Sequence, residues 1–137
     1  MKKKRIRTVL VLLLVILGIY LGITGIRSYL DLTTYRKQVA DITISRIDMS
    51  RISDGSYTGS CEILWVAAEV RATVKDHKIT GIELLEHKNE RGTAAEVIPD
   101  KVVEAQSLQV DMVSGATSSS KVILKAIENA LNSAPKD

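Results

Sequence analysis

One cysteine, two prolines, one tryptophan, four tyrosines and no phenylalanine stand in 137 residues. The single thiol, Cys61, excludes an internal disulfide and a cysteine-rich metal site, and it reads as a small buried hydrophobe. With so few aromatic residues, a planar ring held by this chain would lean mostly on aliphatic and backbone contacts, or be tethered in some other way. Trp65 is expected in the core rather than against a ligand. His77 and His87 lie ten apart without a third ligand at metal-like spacing, so both are read as surface residues. Positive charge is lacking where a nucleic-acid reader needs it. Residues 1–51 hold 10 Lys/Arg against 3 Asp/Glu, a net of +7, whereas residues 52–137 hold 9 against 13, a net of −4. A basic tail on an acidic folded part argues for membrane topology and against nucleic acid. No internal repeat or low-complexity tract is present.

The tail supports that reading. "MKKKRIR" precedes "TVLVLLLVILGIYLGITGI", which carries no charge. Val9 to Ile26 is eighteen residues, about 27 Å of helix, close to the hydrocarbon thickness of a bilayer. The excess of Lys and Arg before the run predicts a cytoplasmic amino terminus and an extracytoplasmic remainder. A cleaved signal peptide is the competing reading, but the run exceeds the usual apolar length and no A-x-A-like site follows it. The expected organisation is a basic cytoplasmic segment at 1–8, a transmembrane anchor at 9–26, a stalk at 27–51 and an extracytoplasmic domain at 52–137.

Within the domain, "SDGSYTG" carries an Asp-Gly pair of the kind that marks a tight turn. Val70, Ala72 and Val74 alternate with Glu69, Arg71, Thr73 and Lys75, the period of a half-buried strand. Ile82 and Leu84 resume the alternation after Asp76-His77, which predicts a hairpin with that pair as its turn. A short helix is expected from the region of Pro99, a good first helical position, to about Ser107. The clearest helix follows in "SSSKVILKAIENALNSA". Val122, Ile123, Ala126, Ile127, Ala130 and Leu131 form its apolar stripe, with Lys121, Lys125, Glu128 and Asn129 opposite. Antiparallel strands and segregated helices predict an α+β domain behind the transmembrane helix, with an antiparallel sheet and two or more helices.

"DMVSGATSSS", residues 111–120, precedes that last helix. Ser118, Ser119 or Ser120 would serve as its N-cap. Gly115 and Ala116 would let backbone and the Thr117 hydroxyl approach a bulky ligand. A helix start offers unpaired N–H groups and partial positive charge, so an anion such as phosphate is favoured beside Thr117. A hydrolase nucleophile is disfavoured because no general base can be assigned.

The run "DMVSGATS" resembles the D-x-x-S/T-G-A-T flavinylation motif of FMN-binding domain proteins, the group that includes the G subunit of Rnf complexes and the C subunit of sodium-pumping NADH:quinone oxidoreductase. "DGSYTG", "VRATVKDHKITGIELLEH" and "AIENAL" resemble the family's opening motif, hairpin and closing helix, in the same order over residues 54–131. The resemblance implies FMN joined to Thr117 by a phosphoester, with Ser114, Gly115, Ala116 and Ser118 around it. It further implies an FAD:protein FMN transferase, for which Asp111 would be a recognition contact; Asp111 could instead only cap a turn. The partners implied are a membrane-embedded electron donor or redox complex, and the function that of an electron carrier rather than an NADH oxidase. Two departures stand out. Asp76-His77 replaces a common Asp-Gly turn, which suggests a different turn type or register. "NERGT", with Glu90 and Gly92, replaces an E-T-P-G-like segment. The alternatives are a module holding FMN without a covalent bond and an anchored interaction domain with no cofactor.

Overall fold

The structure, a computed structural model, describes residues 2–89 and 91–135. It divides into two compact units, Met1–Thr34 and Tyr35–Asp137. The first consists of most of helix α1 (Lys2–Asp41). Its leucines, valines and isoleucines from Val9 to Leu17 are exposed on every side. A helix that is apolar all round has no stripe to turn away from water. It is long and apolar enough to cross a bilayer.

The second unit begins with the last turns of α1. After Asp41 the chain runs without regular structure to a single 3-10 turn at Met49–Arg51, capped by Asp48, whose carboxylate accepts from Ser50 N at 3.1 Å. The region expected as a stalk is therefore helical in its first half. Tyr35 and Val39 from that helical part, and Ile42, Ile44, Ile47 and Met49 from the part after it, pack against the domain core.

Three antiparallel strands follow in the order β1-β2-β3: β1 (Gly55–Ile63), β2 (Val66–Lys75) and β3 (Lys78–Lys88). β2 is the central strand and alternates cleanly, with Val66, Ala68, Val70, Ala72 and Val74 buried on one face. The Asp-Gly pair at 54–55 bends the chain into β1. Gly55 leaves room for the Tyr57 ring, since a Cβ there would stand 2.8 Å from the phenolic oxygen. Tyr57 in turn donates to Ser53 O at 2.9 Å, tying down the segment that leads into the strand.

The β2–β3 turn corrects an expectation. Asp76 and His77 both adopt positive φ, 50° and 58°, across a two-residue loop closed by the Lys75–Lys78 pair. That is the backbone signature of a type I′ hairpin, the turn whose twist suits the flanking strands. Histidine thus takes the position usually held by glycine, and its Nδ1 lies 3.3 Å from Ile52 O. β3 departs from simple alternation twice. Register shifts between Thr73 and Val74 and between Glu69 and Val70 leave Thr80 and Leu85 unpaired. Each extra residue reverses which parity faces the core, so Ile79, then Ile82 and Leu84, then His87 turn inward.

Behind β3, a 3-10 turn at Thr93–Val97 leads into α2 (Ile98–Ala105). Pro99 occupies the second helical position, one later than expected, and Gln106 ends the helix in the left-handed conformation. The Gln106 amide accepts from Ile79 N at 2.9 Å and donates to Ile79 O at 2.8 Å, completing the backbone bonding of β3 there. Helix α3 (Thr117–Asn132) packs on β1 and β2. Its whole expected stripe is buried, each large aliphatic side chain contributing about 1.5–3 kcal/mol. At Gly59 the helix lies flush on the strand, and a Cβ would meet the backbone of Ala126 and Ala130.

Leu124 and Glu128 are buried as well, against the expectation that Glu128 faces solvent. The end of α1 and the segment after it cover that side. Lys121 Nζ donates to Val39 O at 2.8 Å and Ile42 O at 3.3 Å, and Lys125 Nζ donates to Thr43 O at 3.2 Å. Cations on the carbonyls of a helix end satisfy unpaired acceptors and oppose the negative end of the dipole. Lys125 also holds Glu128 at 2.8 Å. The result is an α+β domain with a three-stranded antiparallel sheet and two further helices, behind a long apolar helix.

Candidate functional site

Between α2 and α3 the loop 106–116 carries the small-residue motif to the start of the helix. Val113–Ala116 forms a turn closed by Ala116 N donating to Val113 O at 3.0 Å, with Gly115 at φ +78°. A glycine at positive φ in the third position is the mark of a type II turn. No atom lies within 4 Å of where a Gly115 Cβ would stand, so this glycine serves the backbone conformation and not a close contact.

The serine caps expected for α3 do not form. The helix begins at Thr117 with Ala116 as its N-cap, which offers no side-chain acceptor. Ser119 and Ser120 are buried inside the first turn, and Ser120 Oγ accepts from Val113 N at 3.1 Å. The hydroxyl thus fastens the preceding loop rather than the helix. The first backbone bond of the helix runs from Ser120 N to Ala116 O at 2.9 Å. The N–H groups of Thr117, Ser118 and Ser119 have no acceptor among the described residues, and such a helix start favours an anion.

A cavity of about 420 Å³ opens at this helix start, within the range of cofactor sites. Gly115, Ala116, Thr117, Ser118 and Ser119 form its floor, and Arg91 and Gly92, from the loop after β3, form one side. Trp65 from the β1–β2 turn, Val66 at the start of β2, and Tyr35 complete it. Thr117 is exposed, and its hydroxyl makes no hydrogen bond among the described residues. Ser114 sits one residue before Gly115, exposed and outside the lining.

Asp111 is exposed on the same loop and borders a separate recess with Lys101 and Glu104. Its carboxylate has no hydrogen-bond partner among the described residues; only its backbone carbonyl accepts, from Lys101 Nζ at 3.5 Å. Glu90 lies outside the described residues. Gly92 packs so closely on α3 that a Cβ would overlap the Ser119 side chain. The loop is held from its other end by Asn89, whose side-chain oxygen accepts from Gly92 N at 2.7 Å.

Two expectations about aromatic and histidine residues are corrected. Trp65 is half-buried in the cavity wall instead of the core, with its ring centroid 4.8 Å from that of Tyr35 and the planes 36° apart. Two of the chain's five aromatic residues therefore border this one cavity, so the supply is small but concentrated. His87 is not a surface residue. Its side chain is 3 % exposed, with Nδ1 2.9 Å from Glu96 Oε1 and a buried Nε2 that has no partner among the described residues. The bulge at Leu85 turns it inward, and alternation counted from Leu84 points it the wrong way. His77 is exposed, as expected. Cys61 is only half-buried; burial pushes its thiol pKa up, while the Lys125 charge pulls the other way.

Sequence reasoning missed Tyr35 and Arg91. Tyr35 lies in the presumed stalk, where no periodicity singles it out. Arg91 stands in "NERGT", where no spacing singles out the arginine.

The geometry fits a flavin nucleotide. The lining offers aromatic faces, a guanidinium, free helix N–H groups for a phosphate, and a hydroxyl at the rim. The motifs "DGSYTG" and "AIENAL" have structural duties instead, making β1 and α3 meet at Gly59. Comparison with known proteins agrees. A relative from Treponema pallidum (strain Nichols), described as an uncharacterized protein, is 31% identical over 85 residues, covering 60% of this chain. The chain spans only 24% of that relative's length. A family model described as "FMN-binding domain" matches residues 64–132, which include the cavity's Trp65, Arg91 and Thr117. The chain belongs to the FMN-binding domain family.

Proposed function

We propose that this protein is a membrane-anchored, extracytoplasmic flavoprotein that carries FMN esterified to Thr117 and relays electrons. One observation carries the reading. Thr117 combines an exposed, unbonded hydroxyl with the first position of an uncapped helix, at the rim of a cavity of cofactor size. In the attachment, the Thr117 hydroxyl attacks the FMN-side phosphorus of FAD on a separate transferase. A bond forms between Thr117 Oγ1 and phosphorus, the pyrophosphate bond breaks, AMP leaves and the hydroxyl proton is released. Gly115 and Ala116 leave the approach to that hydroxyl unobstructed. Asp111, six residues earlier and exposed, is available as a recognition contact for the transferase.

The resulting phosphodiester carries one negative charge, and the α3 start would offset it by roughly 0.3–1 kcal/mol. The Arg91 guanidinium adds positive charge on the neighbouring wall. FMN, when bound, supplies one- and two-electron redox chemistry; the protein positions and tunes it. The apolar part of α1 serves as the anchor, and the five basic residues in "MKKKRIR" favour a cytoplasmic amino terminus. A membrane anchor favours an electron donor held in the membrane over a freely diffusing one.

Intact mass after co-expression with a flavin transferase tests the assignment. The wild-type chain gains the mass of an FMN ester and stays fluorescent on a denaturing gel, while Thr117→Ala does neither. An alanine variant that still gains the mass refutes Thr117 as the acceptor. Flavin released on denaturation supports instead a module that holds FMN without a covalent bond.

A further inference from the structure

We propose that Tyr35 and Trp65 form the seat of the flavin ring, so that the tail of α1 completes the cofactor site. The proposal rests on the flavin reading of the cavity and adds to it a wall that lies partly outside the matched residues 64–132. Three observations carry it. First, both residues line the same cavity as Thr117. Second, their rings meet at 4.8 Å with a 36° tilt, a pair geometry in which each ring keeps part of a face uncovered. Both side chains are only half-buried, which leaves aromatic surface for a third ring.

Third, the segment bearing Tyr35 is fixed and not a loose tether. Gln38, one turn after Tyr35, accepts from Leu64 N at 3.0 Å, which binds the α1 tail to the turn that carries Trp65. Lys121, in the second turn of α3, grips Val39 O and Ile42 O. The wall is therefore tied at one end to the β1–β2 turn and at the other to the helix that begins with Thr117. Aromatic rings favour offset or tilted stacking over a face-to-face sandwich. Since the phosphate is set at Thr117, the facing aromatic pair would orient the ring system.

Flavin fluorescence in the flavinylated full-length protein tests the seat. A tyrosine or tryptophan ring in contact with a photoexcited flavin donates one electron to it and takes it back, so emission is lost without net oxidation. Phenylalanine cannot serve as that donor, yet it fills nearly the same space. Tyr35→Phe, Trp65→Phe and the double variant should all gain the FMN mass, because esterification needs the Thr117 hydroxyl and not the ring seat. Wild-type emission per flavin should be quenched relative to the same sample after denaturation. Each single variant should lose part of that quenching, and the double variant most of it. A double variant as dim as the wild type, or a folded wild type as bright as its denatured form, overturns the seat while leaving the ester intact. A wild-type chain that neither gains the FMN mass nor retains flavin when purified folded refutes the flavin reading, and the seat with it.

Discussion

Gly115→Ala isolates one backbone angle. At φ +78° an L-residue places its Cβ against the following carbonyl, which costs about 1–2 kcal/mol. No other penalty arises, because the space around that Cβ is open. Alanine also lowers the entropy of the unfolded chain, returning about 0.4–1 kcal/mol. The net loss is then about 1 kcal/mol, or about 4–8 °C in Tm for a domain near 100 residues. Local relaxation should not release the strain, since both ends of the turn are held. Val113 N donates to the buried Ser120 hydroxyl at 3.1 Å, and Ala116, itself buried, donates back to Val113 O at 3.0 Å. Asparagine tolerates the left-handed region better than alanine, so Gly115→Asn should fall between alanine and wild type. The assay is thermal unfolding of the unmodified protein in detergent, followed by circular dichroism in the helical band. An alanine variant as stable as wild type, or more stable, would refute the reasoning, because that is the outcome where φ is negative.

Gly59→Ala should be more damaging, about 1–3 kcal/mol or above, because its Cβ would press on α3 backbone and not on a movable side chain; denaturant titration checks this, and an unchanged midpoint contradicts the flush packing. Lys125→Met leaves the Glu128 carboxylate buried without its partner at 2.8 Å. Loss of a fully buried pair costs about 3–5 kcal/mol, but Lys125 is 30% exposed, so solvent screening brings the expectation down to about 1–3 kcal/mol. The same variant removes the charge that opposes burial at Cys61, so alkylation of that thiol, already slowed in the wild type, should slow further at pH 8; faster alkylation in a still-folded variant contradicts that. Asp48 is held below its ordinary 3.8 by hydrogen bonds from the Ser50 hydroxyl and N–H. Its contribution is therefore present above pH 3.8 and lost as pH falls through the lower folded value, so Asp48→Asn should flatten the decline in stability seen by urea unfolding as pH is taken below 3.8.

The hairpin and α3 were legible because each has one face against the core and one against solvent, which writes the period into the residues. β1 was not. Its inward positions include Gly55 and Gly59, small because Tyr57 and α3 come close, and small residues leave no apolar alternation to read. His87 was misread for a related reason. A bulge adds one residue to β3 and reverses parity, and nothing in "ELLEHK" announces it. Glu128 was placed outside because helical periodicity shows only the face toward the sheet. A second layer, the segment 35–47, buries the other side, and its own irregular pattern does not declare that it packs.

The chain alone determined the apolar span, the hairpin, the last helix and the run that ends at Thr117, since all four depend on local spacing and residue type. Only the tertiary structure decided what surrounds that threonine. It set Tyr35, Trp65 and Arg91 around one cavity, left the α3 start uncapped by turning Ser120 back to the loop, and moved Asp111 and Ser114 off the lining. Those outcomes depend on contacts between residues tens of positions apart, where strand register, helix packing and turn conformation act together, and no local pattern encodes them.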